Sequence, residues 1–256
     1  MSLFIDDNNF QEVVDASVAA GFEAGALPRQ TQIGELACAL VFSEHIPIIP
    51  PEEWVPRIKD MQAAGGFIGQ RFQPDPKAHY QNGTPLCWAF SLGEAIEGVI
   101  VSMGQPYRLL APESILGVCN YRKQGFYLDR ALEWVAEHGM ARREFVPQMY
   151  SSNPREWKQG WEQDALNNVA LEWFDLGGKD VWAETVTALL SGFGCYVGYD
   201  WWSHAVFLDQ LAVNDKGQIV VHSPNSHGPG NDVWLTGNKA VPSMGSFVLR
   251  SVTYSG

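Results

Sequence analysis

The stretch QNGTPLCWAFSLGEAIEG, Gln81 to Gly98, puts a cysteine where a turn of Gly83, Thr84 and Pro85 gives way to an apolar segment. From Cys87 onward, Trp88, Ala89, Phe90, Leu92, Ala95, Ile96, Val99 and Ile100 recur at helical spacing. Their broad apolar face predicts a central helix. Small apolar residues, cysteine among them, commonly fill buried positions near helix starts. A thiol there also has a chemical alternative. Unpaired backbone N–H groups and the helix dipole favour negative charge, which brings the thiolate within reach of neutral pH. The rest of the chain decides between a core residue and a nucleophile.

Working outward, 46% hydrophobic content in 256 residues is enough for a full core, as one large domain or two lobes. Seventeen basic residues against twenty-nine acidic leave a net charge of −12, which disfavours a nucleic-acid surface. The start, MSLFIDDNNF, has no basic n-region and meets Asp6 and Asp7 early, so it does not read as a secretory signal. LACALVF is too short to span a bilayer. The expectation is a soluble, cytoplasmic or virion-associated protein with no membrane partner. Cys38, Cys87, Cys119 and Cys195 are widely separated and form no CxxC pair, so reduced thiols are expected and no metal site.

Residues 8–26 predict a first helix, with Phe10, Val13, Val14, Val18 and Phe22 on one face and Gly21, Gly25 and Pro28 ending it. Pro47, Pro50 and Pro51 then force extended backbone, and a boundary is placed there. Residues 1–46 become an N-terminal extension and 47–256 the body. A short helix is expected near Glu53–Ala64, another over about Tyr127–His138 stopping at Gly139, and a third ending near Ser191. After it, CYVGYDWWSHAVFLDQLAV, GQIVVHSP and GSFVLRSVTY change to strand-like runs. A helical front and a stranded back make an α+β chain of two lobes, with a cleft between them as the natural site.

A cysteine nucleophile needs a base in reach and a third group to orient it. His138 falls at a helix C-terminus, where it caps. His204 opens an apolar strand after Trp201 and Trp202, and VVHSPNSHG delivers Asn225 at the end of another. Neighbouring strands would bring the His204 ring and the Asn225 amide together. Alternation turns His222 the other way, and His227 lies beyond in a Gly-Pro turn.

These ordered motifs resemble the papain-like cysteine peptidases. QNGTPLCWAF is similar to the family's Gln-Gly-x-Cys-Gly-Ser-Cys-Trp-Ala-Phe, LLAPESILGVCN to its Leu-Ser-x-Gln-x-Leu-x-Asp-Cys, SHAVFLDQLAV to its Asp/Asn-His-Ala-Val, and NSHGPG to its Asn-Ser-Trp-Gly-x-Gly. GFYLDRALEWVAEHG resembles the helix after the family's Gly-Gly pair. His204 and Asn225 follow Cys87 by 117 and 138 positions, against roughly 130–150 in the family, which suggests a trimmed loop before the histidine. The resemblance implies a helical lobe over about 76–155 and an antiparallel, barrel-like lobe over about 156–256. It implies Cys87 as a thiolate paired with protonated His204, Asn225 as the orienting amide, and Gln81 with the Cys87 N–H as the oxyanion hole. It implies a peptide or protein substrate and no cofactor.

The departures carry their own expectations. His227 stands where a tryptophan normally shields the Asn–His contact, so that contact is expected to be more solvated and activity weaker. Gly125-Phe126 replaces the Gly-Gly that pairs with substrate, and the Phe126 side chain is expected to block or reshape that subsite. Ser203 replaces the acidic or amide residue before the histidine. Residues 1–46 are read as either a pro-region-like segment occupying the cleft or an assembly segment docked elsewhere, and the assembly role is favoured because the segment is short for an inhibitory pro-region. The alternative to a peptidase is a papain-like fold serving as a structural or binding component of a larger assembly such as a virus particle.

Overall fold

The helix expected after Gln81 spans Cys87–Ser102 and is buried on every side from Cys87 to Ile100, as a helix apolar all round must be. The computed structural model describes residues 3–36, 39–72, 75, 77–228 and 230–254, so Cys38 and Pro229 lie outside the described residues. Trp88, Phe90, Leu92 and Ile96 of this helix join Ile115, Leu116 and Leu132 in a first core. Ile115 and Leu116 belong to a 3-10 helix, Pro112–Cys119, and Leu132 to the helix Leu128–His138. That helix stops at Gly139, as its sequence suggests, where the backbone takes a positive φ of 70° that glycine allows.

The second lobe holds two sheets. The first runs Ala39–Val41, Ala170–Asp175, Ser246–Val252, Cys195–Tyr199, His204–Leu208, with only the first pair parallel. The second runs Leu3–Ile5, Val233–Leu235, Ile219–Ser223, Gln210–Val213, again with only the first pair parallel. Strands Cys195–Tyr199 and His204–Leu208 are buried throughout, which is why they read as apolar runs rather than as alternation. The sheets stay open and do not close into a barrel. Helices Pro51–Ala63 and Val181–Leu190 pack on this lobe, and Trp54, Ile58, Val186 and Leu189 share a core with Phe174, Leu208 and Val221. Pro50 is extended, but Pro51 is the first helical residue, where a missing N–H costs nothing. Among the described residues no helix is long and apolar enough to cross a membrane.

The first helix is shorter than expected, Phe10–Ala19, because the chain turns at Gly21 with φ of 83°. Residues 3–41 are then stitched to the body in three places. Leu3–Ile5 is an edge strand, Ala26–Leu27 pairs with Phe126–Tyr127 in parallel, and Ala39–Val41 pairs with Ala170–Asp175. The N-terminal segment therefore crosses both lobes.

Candidate active site

Cys87 is the first residue of the central helix, and its N-cap, Leu86, offers no side-chain acceptor. The Ala89 N–H already donates to the Leu86 carbonyl at 2.9 Å, so the first-turn N–H groups that bear on the sulfur are those of Cys87 and Trp88. The Cys87 sulfur accepts from the Ala205 N–H at 3.4 Å, and the N–H groups of Trp88, Gly25 and Cys87 itself also bear on it. Ala205 follows His204 in a strand whose register is held by Gly198 opposite Ala205 and Tyr199 opposite His204. The helix start and the histidine-bearing strand thus meet at the sulfur.

His204 Nε2 lies 2.9 Å from Asn225 Oδ1. A carbonyl oxygen only accepts, so the proton sits on Nε2, and in the neutral ring Nδ1 is the basic atom. Asn225 Nδ2 donates in turn to the Asn231 carbonyl at 3.0 Å. The expected solvation of this contact is corrected, since His204 is 2% and Asn225 5% exposed. The Trp202 ring lies 4.6 Å from His204, the His227 ring lies 4.3 Å away, and Phe22 stacks on His227 at 4.0 Å. Three rings exclude the water that one tryptophan was expected to exclude.

Gln81 is fully buried. Its Oε1 accepts from Ser226 Oγ at 2.5 Å, and its Nε2 donates to the Thr84 carbonyl at 2.6 Å, which leaves one amide N–H for another acceptor. Ser226 directly follows Asn225, so one loop positions both amides.

The cleft is occupied by the chain's own residues. The Gly25 carbonyl accepts from the Phe126 N–H at 2.9 Å, while the Gly25 and Ala26 N–H groups both donate to the Ser203 carbonyl at 3.1 Å. A Cβ on Gly25 would stand 2.8 Å from Cys87 Sγ and 2.5 Å from the Pro85 carbonyl, so only glycine passes here. A Cβ on Gly125 would stand 2.9 Å from the Gly25 carbonyl oxygen. Gly125, Phe126 and Ser203, singled out from sequence, therefore touch one short stretch of backbone. The Phe126 ring packs 5.3 Å from Trp88, and its N–H is the group bonded to the Gly25 carbonyl. Of the two placements open to residues 1–46, these contacts put Gly25 and Ala26 beside Cys87.

Two buried carboxylates hold the segment downstream of the thiol. Arg29 makes a two-pronged pair with Asp175 at 2.8 Å and 2.8 Å. Asp129 Oδ2 accepts from the Gln30 and Thr31 N–H groups and from Thr31 Oγ1, at 2.9, 2.8 and 2.8 Å.

Burial sets the protonation of the covered site. It pushes the Cys87 thiol up to about 12, against the pull of the backbone N–H groups of Ala205, Trp88 and Gly25. It lowers His204 to about 4, with the Asn225 bond opposing it. While the site is covered, burial works against the thiolate–imidazolium pair expected from sequence. Neutral Asn225 cannot offset the cost of a buried imidazolium. His222 is bound instead to Asp209 at 2.7 Å, and His138 lies 3.2 Å from the Trp134 carbonyl at its helix end. Among the described residues no three His, Cys, Asp or Glu side chains group as a metal ion would require.

Sequence reasoning missed Trp202, Phe22, Gly25, Asp129 and Asp175. The paired tryptophans at 201–202 were a signal, since a large ring beside a histidine strand has few places to go. Gly25 read only as a helix stop.

No family profile matches the chain, and no curated protein matches it in sequence. Solved structures do match. A recombinant stem bromelain precursor aligns over 97% of this chain and 89% of its own, with 12% identity and a TM-score of 0.60. Xylellain, a cysteine protease from Xylella fastidiosa, aligns over 93% and 97%, with 15% identity and a TM-score of 0.58. A digestive procathepsin L 3 of Tenebrio molitor larval midgut aligns over 95% and 79%, with 13% identity and a TM-score of 0.56. The chain has the two-lobed α+β fold of the papain-like cysteine proteases.

Proposed function

We propose that the chain is a cysteine peptidase held closed by its own residues 21–27. The observation that carries this reading is the 2.9 Å His204–Asn225 pair on the strand whose Ala205 N–H meets the Cys87 sulfur. When the cover lifts, water returns and the burial that disfavours the thiolate is relieved. The first-turn helix N–H groups and His204 then favour the thiolate, with the proton on His204 Nδ1. The sulfur attacks a substrate carbonyl carbon, and the oxygen takes up the displaced electron pair. The Cys87 N–H and the remaining Gln81 amide N–H stabilise that oxyanion. As the C–N bond breaks, Nδ1 passes its proton to the leaving amine. Water then gives a proton to Nδ1 and attacks the thioester, releasing a carboxylic acid and the free thiol. Asn225 holds the ring in one tautomer throughout. The Phe126 N–H and the Ser203 carbonyl, now bound to Gly25 and Ala26, would serve the substrate backbone.

Gly25 itself is not a substrate in this reading. Its carbonyl is committed to Phe126, and it turns its N–H rather than its carbonyl carbon to the sulfur. Two of the structural neighbours are likewise precursor forms by name, which accords with a covered cleft. The test is labelling with a peptidyl electrophile directed at thiols, in the intact protein and in Gly25→Val. Selective labelling of Cys87 in the variant, lost in His204→Ala, is the expected result. No labelling of Cys87 in either protein, with both folded, would leave the fold as a binding component.

A further inference from the structure

Beyond the peptidase reading, we infer that the cavity between the helix Leu128–His138 and the helix Trp161–Ala165 binds a quaternary alkylammonium headgroup. The cavity holds about 340 Å³, and Tyr121, Trp134 and Trp161 contribute its rings, with Glu137 and Glu162 among its lining. It shares Trp134 and Glu137 with a neighbouring surface pocket but contains none of the residues around Cys87.

Three independent sources of negative potential converge there. The carboxylates of Glu137 and Glu162 are the first: Glu137, largely exposed, has Oε2 3.9 Å from His138 Nδ1, and neither carboxylate has an arginine or lysine within salt-bridge distance among the described residues. The second is the C-terminal end of the helix Leu128–His138, whose last carbonyls carry the negative end of the dipole. The third is the aromatic faces, whose quadrupoles attract a cation. Glu162 is near enough to Tyr121 to help push its hydroxyl upward, after burial, so this carboxylate bears on the same space as the ring. His138 is the one basic side chain in the lining, and its ring is stacked 3.8 Å from Trp134 with Nδ1 bound to a backbone carbonyl. A hydrophilic ammonium with exchangeable protons would ask this wall for hydrogen-bond acceptors on every side. A methylated ammonium, large and weakly hydrated, asks for aromatic surface and negative charge, and Tyr121, Trp161 and the two carboxylates are in this lining.

The experiment is calorimetric titration of the full chain with choline, with the amide of Nα-acetyl-trimethyllysine, and with the neutral isostere 3,3-dimethylbutanol. Saturable one-to-one binding of at least one ammonium, about tenfold or more tighter than the isostere, is expected. A stronger response to choline would mark a free headgroup as the source, and a stronger response to the lysine derivative a methylated side chain. Glu137→Gln/Glu162→Gln, both at exposed positions, should weaken that binding about tenfold without moving the melting temperature. Trp161→Leu should weaken it at least as much. Equal affinity for the isostere, wild-type affinity in the double glutamine variant, or no saturable binding of either cation would overturn the inference.

Discussion

The central helix carries two buried titratable sites, and they solve burial in opposite ways. At its start, backbone N–H groups face Cys87 and a neutral amide bonds His204, and burial disfavours the charged form of both. Further along, His79 Nε2 lies 2.9 Å from Glu97 Oε2, and His79 Nδ1 lies 3.9 Å from Glu94 Oε1. Glu97 also accepts from the Leu110 N–H at 2.7 Å and from Tyr107 OH at 3.2 Å. Burial alone would pull His79 down as it does His204, but the two carboxylates raise it. The difference is the partner. A carboxylate makes a buried imidazolium tolerable and fixes its charge, whereas an amide orients the ring and leaves its charge to the solvent. A site whose charge must be switched on by uncovering needs the amide.

The largest expected effect tests whether the first site is chemical at all. In a Gly25→Val background, Cys87→Ala should cut peptide hydrolysis more than about a thousandfold, as loss of a nucleophile does. Residual turnover near the parent level would break the assignment. Next comes the cover. Gly25→Val alone should accelerate iodoacetamide alkylation of Cys87 at pH 7 by about a hundredfold or more, because a thiol released toward the ordinary cysteine range is far more ionised. Peptide mass mapping against Cys119 and Cys195 reads the rate, and an unchanged rate would show that the cover does not govern the thiol.

A third test sharpens the charged site. Burial raises Glu94 to about 8, with His79 opposing and Glu97 adding to the rise. A carboxyl that stays protonated in the fold, while the unfolded chain ionises near 4.5, favours the fold fully only below that value. Its contribution is lost as pH rises through about 8. His79, also raised, acts with the same sign. Glu94→Gln should flatten the fall in stability between about pH 5 and pH 8, an effect on the order of a few kcal/mol, measured by urea denaturation. An unchanged pH slope would remove Glu94 from the account. The smallest effect concerns the shield. Trp202→Ala should let water reach His204 and move its NMR titration midpoint up from about 4 toward 6.5. A midpoint that stays put would assign the shielding to Phe22 and His227.

Much of this was legible because local pattern and long-range placement agreed. The helix from Cys87, the stop at Gly139 and the strand at His204 each follow from periodicity and breakers that hold without tertiary help. The His204–Asn225 pairing was legible because both residues lie at or just beyond the ends of strands. What sequence did not disclose depends on contacts between distant segments. Phe22 reads as one more apolar residue of a first helix, yet it lies beyond the turn at Gly21 and stacks on His227. Gly25 reads as a breaker, but its value lies in the space between Pro85 and Cys87, which no spacing within residues 20–30 encodes. The protonation of the covered site depends on the same kind of contact, because desolvation is a property of what covers a group.

The stitching of the N-terminal segment has a consequence for how the cleft could be uncovered. Because Leu3–Ile5 and Arg29 are both anchored to the body, residues 21–27 act on the thiol at an effective concentration set by a short tether, typically millimolar or above. A weakly binding peptide suffices as a cover under that condition, and dilution cannot remove it. One cut between the two anchors would change the arithmetic without releasing Leu3–Ile5 from its sheet or Arg29 from Asp175. Closure would then require two loose tails to find the cleft separately, and a substrate at ordinary concentration could compete with both.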